Sequence, residues 1–202
     1  RPPTVRRRGA AVAAVAVAAA GIARPTPDDR ALAMSSAGRW LPAYVALGSN
    51  LDDPRRQVER AFEALATLVD TRLVARSRLY RARPVGPQDQ PDFVNACAAL
   101  LTRLDAPALH RELRELETRL GKVPPAVRHG PRRIDLDLLV HHETELATDA
   151  LVVPHPRLHE RAFVLYPLLD VAPDLPVPRR GRVRALVAAL ESSGQAGGVE
   201  AL

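Results

Sequence analysis

Two aspartates, Asp135 and Asp137, stand two residues apart in the run Gly130-Pro131-Arg132-Arg133-Ile134-Asp135-Leu136-Asp137-Leu138. Ile134, Leu136, Leu138 and Val140 alternate with them, a period of two that predicts a strand with the apolar residues on one face and both carboxylates on the other. Side chains at i and i+2 of a strand are parallel and roughly 7 Å apart, so the carboxylates repel unless positive charge lies between them. Magnesium ions supply such charge, since Mg²⁺ takes one or two carboxylates and completes its shell with water and phosphate oxygens. A bare pair of this kind suits a solvated sheet face of alternating charge just as well. The preceding Gly-Pro-Arg-Arg alters the balance, because a turn of restricted backbone freedom holds a guanidinium beside the carboxylates. Arginine forks match phosphate oxygens. The run as a whole offers metal ligands and cations to one polyphosphate.

Such a site needs elements to hold it. Tyr44-Val45-Ala46-Leu47 stops at Gly48-Ser49-Asn50, the pattern of a buried strand ending in a tight turn. A helix is predicted next, with Asp53 as N-cap, Pro54 at its first position, and Val58, Phe62, Leu65 and Val69 on one apolar face. Residues 72–80 read as a second strand and 92–103 as a third, after a loop at 84–91 rich in Pro, Gly and Gln. A second helix starts at Asp105, carries Leu109, Leu113, Leu116 and Leu120 on one stripe and stops at Gly121. The strand of Asp135 and Asp137 follows. Strand, helix, strand, strand, helix, strand is the ferredoxin-like order, an α+β fold with an antiparallel sheet and helices packed on one face. A His- and Pro-containing loop near 154–161 and two C-terminal helices near 162–170 and 182–191 complete the expected domain, 43–191. Residues 192–202 read as a flexible, frayed tail.

Net charge is +6 over 202 residues, but residues 1–42 carry seven arginines and two aspartates, so the remainder is close to neutral at +1. That distribution speaks against a nucleic-acid or membrane partner for the fold. Arg6, Arg7 and Arg8 before the Ala/Val run 10–22 have the charged and apolar parts of a signal peptide, and the run is too short to span a bilayer. The favoured reading makes 1–42 a disordered or mis-called extension, with Met34 as a plausible start. The single cysteine, Cys97, excludes an internal disulfide framework and reads as a small core residue, which suits a reducing, cytoplasmic setting.

With its G-P-R-R-I-D-L-D signature, the chain resembles the hydroxymethyldihydropterin pyrophosphokinases. The resemblance continues through A-L-G-S-N-L at 46–51, G-P-Q-D-Q-P-D-F-V-N at 86–95, V-P-H-P at 153–156 and R-A-F-V-L-Y-P-L at 161–168, covering about 43–178. It implies a cytoplasmic enzyme, expected to be a monomer, that moves the diphosphate of ATP to the hydroxymethyl group of 6-hydroxymethyl-7,8-dihydropterin. Asp135 and Asp137 would hold two Mg²⁺ ions, and Arg132 and Lys122 would face the phosphates. Phe93 and Phe163 match the two aromatics that sandwich the pterin. Asn95 shares a strand face with Phe93, where its amide reads the pterin edge, and Val85 adds an apolar or backbone contact. For ATP the resemblance points to Glu117 on the outer face of the second helix, Leu138, His155 and Arg161. By the same likeness the loop 122–131 closes over the phosphates.

Some positions depart from the family pattern. Ala82 and Arg83 stand where a threonine and a proline are common, Lys122 where an arginine is usual, Pro124 and Pro125 where the loop is basic, His129 for a tryptophan and Pro156 for a tyrosine. Lysine keeps the charge and loses the bidentate fork. Two alternatives remain beside the enzyme: a paralogue that binds pterin with weakened catalysis, and a ferredoxin-like RNA-binding module. The module predicts a positive sheet with clustered aromatics, which two aspartates on the fourth strand do not fit.

Overall fold

The computed structural model describes residues 38–123 and 130–202. Of the expected extension only 38–42 fall in that range, so the reading of 1–37 lies outside the described residues. The packed part starts earlier than position 43. Trp40 lies between the guanidiniums of Arg72 and Arg103, 4.3 and 4.7 Å from its ring centroid, and Leu41 already pairs with Thr102.

Seven elements form the first two layers: β1 (Leu41–Ser49), α1 (Pro54–Leu65), β2 (Thr71–Arg76), β3 (Tyr80–Ala82), β4 (Phe93–Thr102), α2 (Ala106–Arg119) and β5 (Asp135–His141). Both helices begin as their sequences predict. The Asp53 side chain accepts the Arg56 N–H at 3.3 Å and that of Asp105 accepts the Ala108 N–H at 2.8 Å, each just ahead of a proline-containing first turn. Gly121, at φ +84°, follows α2, and a Cβ there would come 2.7 Å from the Arg133 guanidinium. Val69 is not part of the apolar face of α1. The helix ends at Leu65, Leu68 takes the inward place, and Val69 is 80% exposed.

The antiparallel sheet runs β3-β4-β1-β5 with β2 also on β4, the ferredoxin-like order. The second predicted strand is thus two, parted at Ser77, whose hydroxyl accepts the Cys97 N–H at 2.8 Å. α1 and α2 cover one face, closing a core of Val45, Leu47, Phe62, Leu109, Leu113, Leu116, Ile134, Leu136 and Leu138. The C-terminal layer comprises β6 (Leu146–Ala147), β7 (Val152–Val153), a 3-10 turn at Leu158–Glu160, α3 (Ala162–Val171), β8 (Pro176–Val177), β9 (Gly181–Arg182), α4 (Val183–Ser192) and β10 (Val199–Ala201). α3 and α4 cover part of the opposite face around Cys97, Leu139 and Val140. Burial pushes the Cys97 thiol well up, so this cysteine is an inert core residue.

β5 departs from strict alternation. Leu138 pairs with Val45 but Val140 pairs with Tyr44, which leaves Leu139 as an extra residue, a β-bulge. Leu136 and Leu138 therefore face the first core, while Val140, predicted to join them, turns to the second. The bulge also aims the Leu139 carbonyl at the His155 N–H, 2.8 Å away.

The tail reading of 192–202 needs a second correction. Val199–Ala201 form β10 on the outer edge of β3, and the Leu202 N–H donates to the Leu79 carbonyl at 2.8 Å. A short edge strand leaves backbone groups unpaired and is a template for any extended segment within reach. Deleting 199–202 is expected to cost about 1–3 kcal/mol of stability, the scale of a few net backbone hydrogen bonds. Urea denaturation should read that loss, with faster amide exchange at Leu79–Ala82.

Candidate active site

Sheet register brings the predicted residues together. Asn95 on β4 lies opposite Gly48 on β1, and Gly48 lies opposite Asp135 on β5; one step on, Cys97, Ala46 and Asp137 form a second row. The central strand therefore contributes only glycine and alanine between the amide and the carboxylates. A Cβ on Gly48 would come 3.3 Å from the Asn95 Oδ1. These small residues border a cavity of about 350 Å³, also lined by Ala82, Arg83, Val85, Phe93 and Arg132 and by His155, Arg161 and Phe163.

Charge inside it is ordered by distance. Asp135 is gripped from both sides, by Lys122 Nζ at 2.6 Å and by Arg132 Nη1 at 2.7 Å. Burial taken alone raises the Asp135 carboxyl, but the charges of Lys122 and Arg132 outweigh it and leave the carboxyl below the usual carboxylate range. Asp137 has a looser partner, Arg114 Nη2 at 3.5 Å. Arg132 Nε, Arg161 Nε and Asn95 Nδ2 are buried donors with no partner among the described residues. Donors of that kind beside a cluster of guanidiniums suit an anion with several oxygens.

Each aromatic wall carries an arginine. The Arg132 guanidinium carbon lies 5.5 Å from the Phe93 centroid and that of Arg161 lies 5.6 Å from the Phe163 centroid. His155 is placed by its backbone bond to Leu139, and its Nδ1 accepts the Arg157 N–H at 3.2 Å. Burial holds its pKa below the ordinary imidazole value against the pull of Asp137. The neutral ring then has its proton on Nε2, ready to donate. Burial and then Arg157 lower the Arg161 pKa.

Val85, Phe93, Asn95, Arg132, Asp135, Asp137, His155, Arg161 and Phe163 thus line one cavity. Three expected residues do not. Leu138 points into the first core, 3% exposed, because it lies ahead of the bulge on the face opposite Asp137. Lys122 stands behind Asp135 as its counter-ion. Glu117 is not on an exposed outer face: it is 2% exposed and accepts from Leu136 N–H at 2.7 Å, Lys122 at 2.8 Å and Arg114 at 2.9 Å. β5 is the last strand of the sheet, and Glu117 caps its free edge. Burial raises the Glu117 pKa even with Lys122, the Leu136 N–H and Arg114 drawing it down.

Two further residues of the site carry little signal in the sequence. Arg114 lines the cavity, and its only sequence signal is a place one turn before Glu117. Asn50, 1% exposed, donates to Gln90 Oε1 and the Pro91 carbonyl at 3.0 and 3.1 Å and accepts the Arg132 N–H at 2.8 Å. It joins the loop before Phe93 to the loop of Arg132, and the Gly-Ser-Asn turn was its signal. The expected closure of 122–131 falls largely on 124–129, outside the described residues.

No group of three or more His, Cys, Asp or Glu side chains among the described residues could hold a metal ion. Asp135 and Asp137 nevertheless fit Mg²⁺, which needs one or two carboxylates when phosphate oxygens supply the remaining ligands.

Residues 44–173 match the family model described as 7,8-dihydro-6-hydroxymethylpterin-pyrophosphokinase. A 2-amino-4-hydroxy-6-hydroxymethyldihydropteridine pyrophosphokinase of Pseudomonas aeruginosa is 48% identical over 151 residues, 75% of this chain and 93% of that protein. One of the same name from Haemophilus influenzae is 41% identical over 147 residues, 73% of this chain and 91% of that protein. A crystal structure of an HPPK-DHPS in complex with substrates shares the fold at a TM-score of 0.64 and 10% identity, covering 81% of this chain and 47% of that longer one.

Glu117→Ala should leave the Leu136 N–H and two cations without their acceptor. The expected loss is about 3 kcal/mol of unfolding free energy, at the low end for a broken buried pair because Arg114 is partly exposed. Glu117→Gln, which keeps the shape and an acceptor oxygen, should recover part of it in the same urea titration.

Proposed function

The chain belongs to the 7,8-dihydro-6-hydroxymethylpterin-pyrophosphokinase family, and on that premise we propose that it transfers the terminal diphosphate of ATP to the hydroxymethyl oxygen of 6-hydroxymethyl-7,8-dihydropterin, releasing AMP, in tetrahydrofolate biosynthesis. One observation carries the reading: a single cavity places two strand carboxylates and a cluster of guanidiniums beside two phenylalanines and a buried amide. That combination suits a flat, hydrogen-bonding ring and a polyphosphate held side by side.

In the proposed mechanism Phe93 and Phe163 take the faces of the pterin ring, a contact worth about 0.5–1.5 kcal/mol beyond burial for a stacked pair. Asn95, with a free Nδ2 donor, reads the ring edge, and Val85 covers one side. The hydroxymethyl oxygen attacks the β-phosphorus of ATP in line, the bond from that phosphorus to the α,β-bridging oxygen breaks so that AMP leaves with the oxygen, and the hydroxyl proton passes to solvent; no protein nucleophile is needed. Arg132 and Arg161 turn their unpaired Nε–H groups to phosphate oxygens, and His155 donates from Nε2. Lys122 keeps Asp135 ionised at the moment when charge shifts across the phosphates. Asp135 and Asp137 would hold Mg²⁺, whose chemistry when bound is Lewis-acid polarisation of the phosphate oxygens and neutralisation of charge on the leaving oxygen. Glu117 acts on ATP only through the two cations it fixes. Leu138 acts only by packing.

The same reading makes the protein a cytoplasmic monomer working on small molecules, with neither nucleic acid nor membrane as partner. The near-neutral charge of 43–202 and the lone buried thiol support it, and no helix among the described residues is long and apolar enough to cross a membrane.

Purified protein with 6-hydroxymethyl-7,8-dihydropterin and Mg-ATP should release AMP, and EDTA should stop it; absence of pterin-dependent AMP would reject the proposal. Asp137→Asn is expected to lower turnover by at least about 10²-fold, the scale of losing one transition-state stabiliser, with an unchanged melting temperature because the side chain supports no core contact.

A further inference from the structure

Asp135 and Asp137 have unequal partners. Two cations close on Asp135 at 2.6 and 2.7 Å, whereas Asp137 has Arg114 at 3.5 Å, on a side chain 43% exposed. Arg114 is held from behind: its Nη1 donates to both oxygens of Glu117, at 3.1 and 2.9 Å, and its Nη2 extends toward Asp137. It rises from α2, on the other side of the sheet, and passes the free edge of β5 into the cavity. His110, one turn earlier, has its pKa lowered by burial and then by Arg114, so it adds no second charge.

We propose that Arg114 is the resident counter-ion of Asp137 and that its displacement couples divalent-cation binding to nucleotide binding. A divalent ion arriving alone must displace the Arg114 Nη2 from Asp137 with no new anion to receive it. An ion arriving with a nucleoside triphosphate meets the same guanidinium beside phosphate oxygens, which give its fork a new anion. Arg114 thus weakens binding of the ion alone far more than binding of the ion with nucleotide, and by linkage each ligand strengthens the other.

This inference rests on the reading of Asp137 as an ion ligand, and the experiment separates the two. Mn²⁺, which takes the same oxygen donors as Mg²⁺, is titrated into the full chain by EPR, alone and with α,β-methylene-ATP, whose α,β bridge cannot be cleaved by transfer. Arg114→Gln should bind Mn²⁺ alone at least about threefold more tightly than the unaltered protein, the scale of one screened charge at this distance. The further tightening on adding nucleotide should shrink correspondingly. Arg111→Gln, the same charge change at an exposed position of α2, should leave both affinities as they were. Arg114→Met keeps the aliphatic stem and is read the same way if the Gln variant does not fold. Unchanged or weaker Mn²⁺ binding in the Arg114 variant, or equal tightening in the Arg111 variant, overturns the proposal. If Asp137→Asn leaves Mn²⁺ binding untouched, the ion-ligand reading has failed and the proposal with it. If Asp137→Asn weakens binding but Arg114→Gln does not tighten it, only the role of Arg114 is rejected.

Discussion

The Glu117 carboxylate, almost wholly removed from water, is where packing and chemistry meet. A buried charge of this kind costs several kcal/mol unless it is fully partnered, and Glu117 persists because a backbone N–H, a lysine and an arginine all donate to it. The N–H belongs to the edge of β5, so the bond pins α2 to the strand that carries Asp135 and Asp137. The lysine is one of the two cations on Asp135, and the arginine is the partner of Asp137. One desolvated acid therefore determines where the strand lies and where its counter-charges stand. The electrostatics of the cavity follow from how the helix docks.

Around that anchor the cavity is made by omission. The sheet separates two cores, and α3 and α4 cover only part of the second face. In the uncovered part β1 presents Ala46 and Gly48, whose missing side chains leave the depth that a ring and a phosphate chain need. Asn50 then ties the two flanking loops together, so Phe93 and Arg132 keep a fixed relation across the floor.

Where sequence patterns were local and redundant, they sufficed. Both helix starts carried an aspartate and a proline, the leucine stripe of α2 repeated over three turns, and the two phenylalanines stood out in a chain with seven aromatics. Other features had no local signal. Glu117 reads as exposed because it sits at the margin of the stripe, and only the arrival of the β5 edge buries it. The Leu139 bulge lies in the run Asp-Leu-Asp-Leu-Leu-Val, where nothing marks the residue that breaks alternation; pairing with β1 selects it. Leu138 is linked to ATP through resemblance alone, and its side-chain direction depends on that same bulge. β10 is extended only because β3 offers it a partner.

The bulge also sets how freely this protein can change. Ahead of it, Asp135 and Asp137 face the cavity and answer to chemistry; behind it, Val140 is enclosed and answers to packing. The border between the two regimes is one peptide wide. Substitutions at 135 and 137 can thus be tried without disturbing the hydrophobic interior, and the interior can drift without moving the acids. A strand lacking the slip would bind the two together, so this one irregular residue gives the site a measure of evolutionary independence from the fold that carries it.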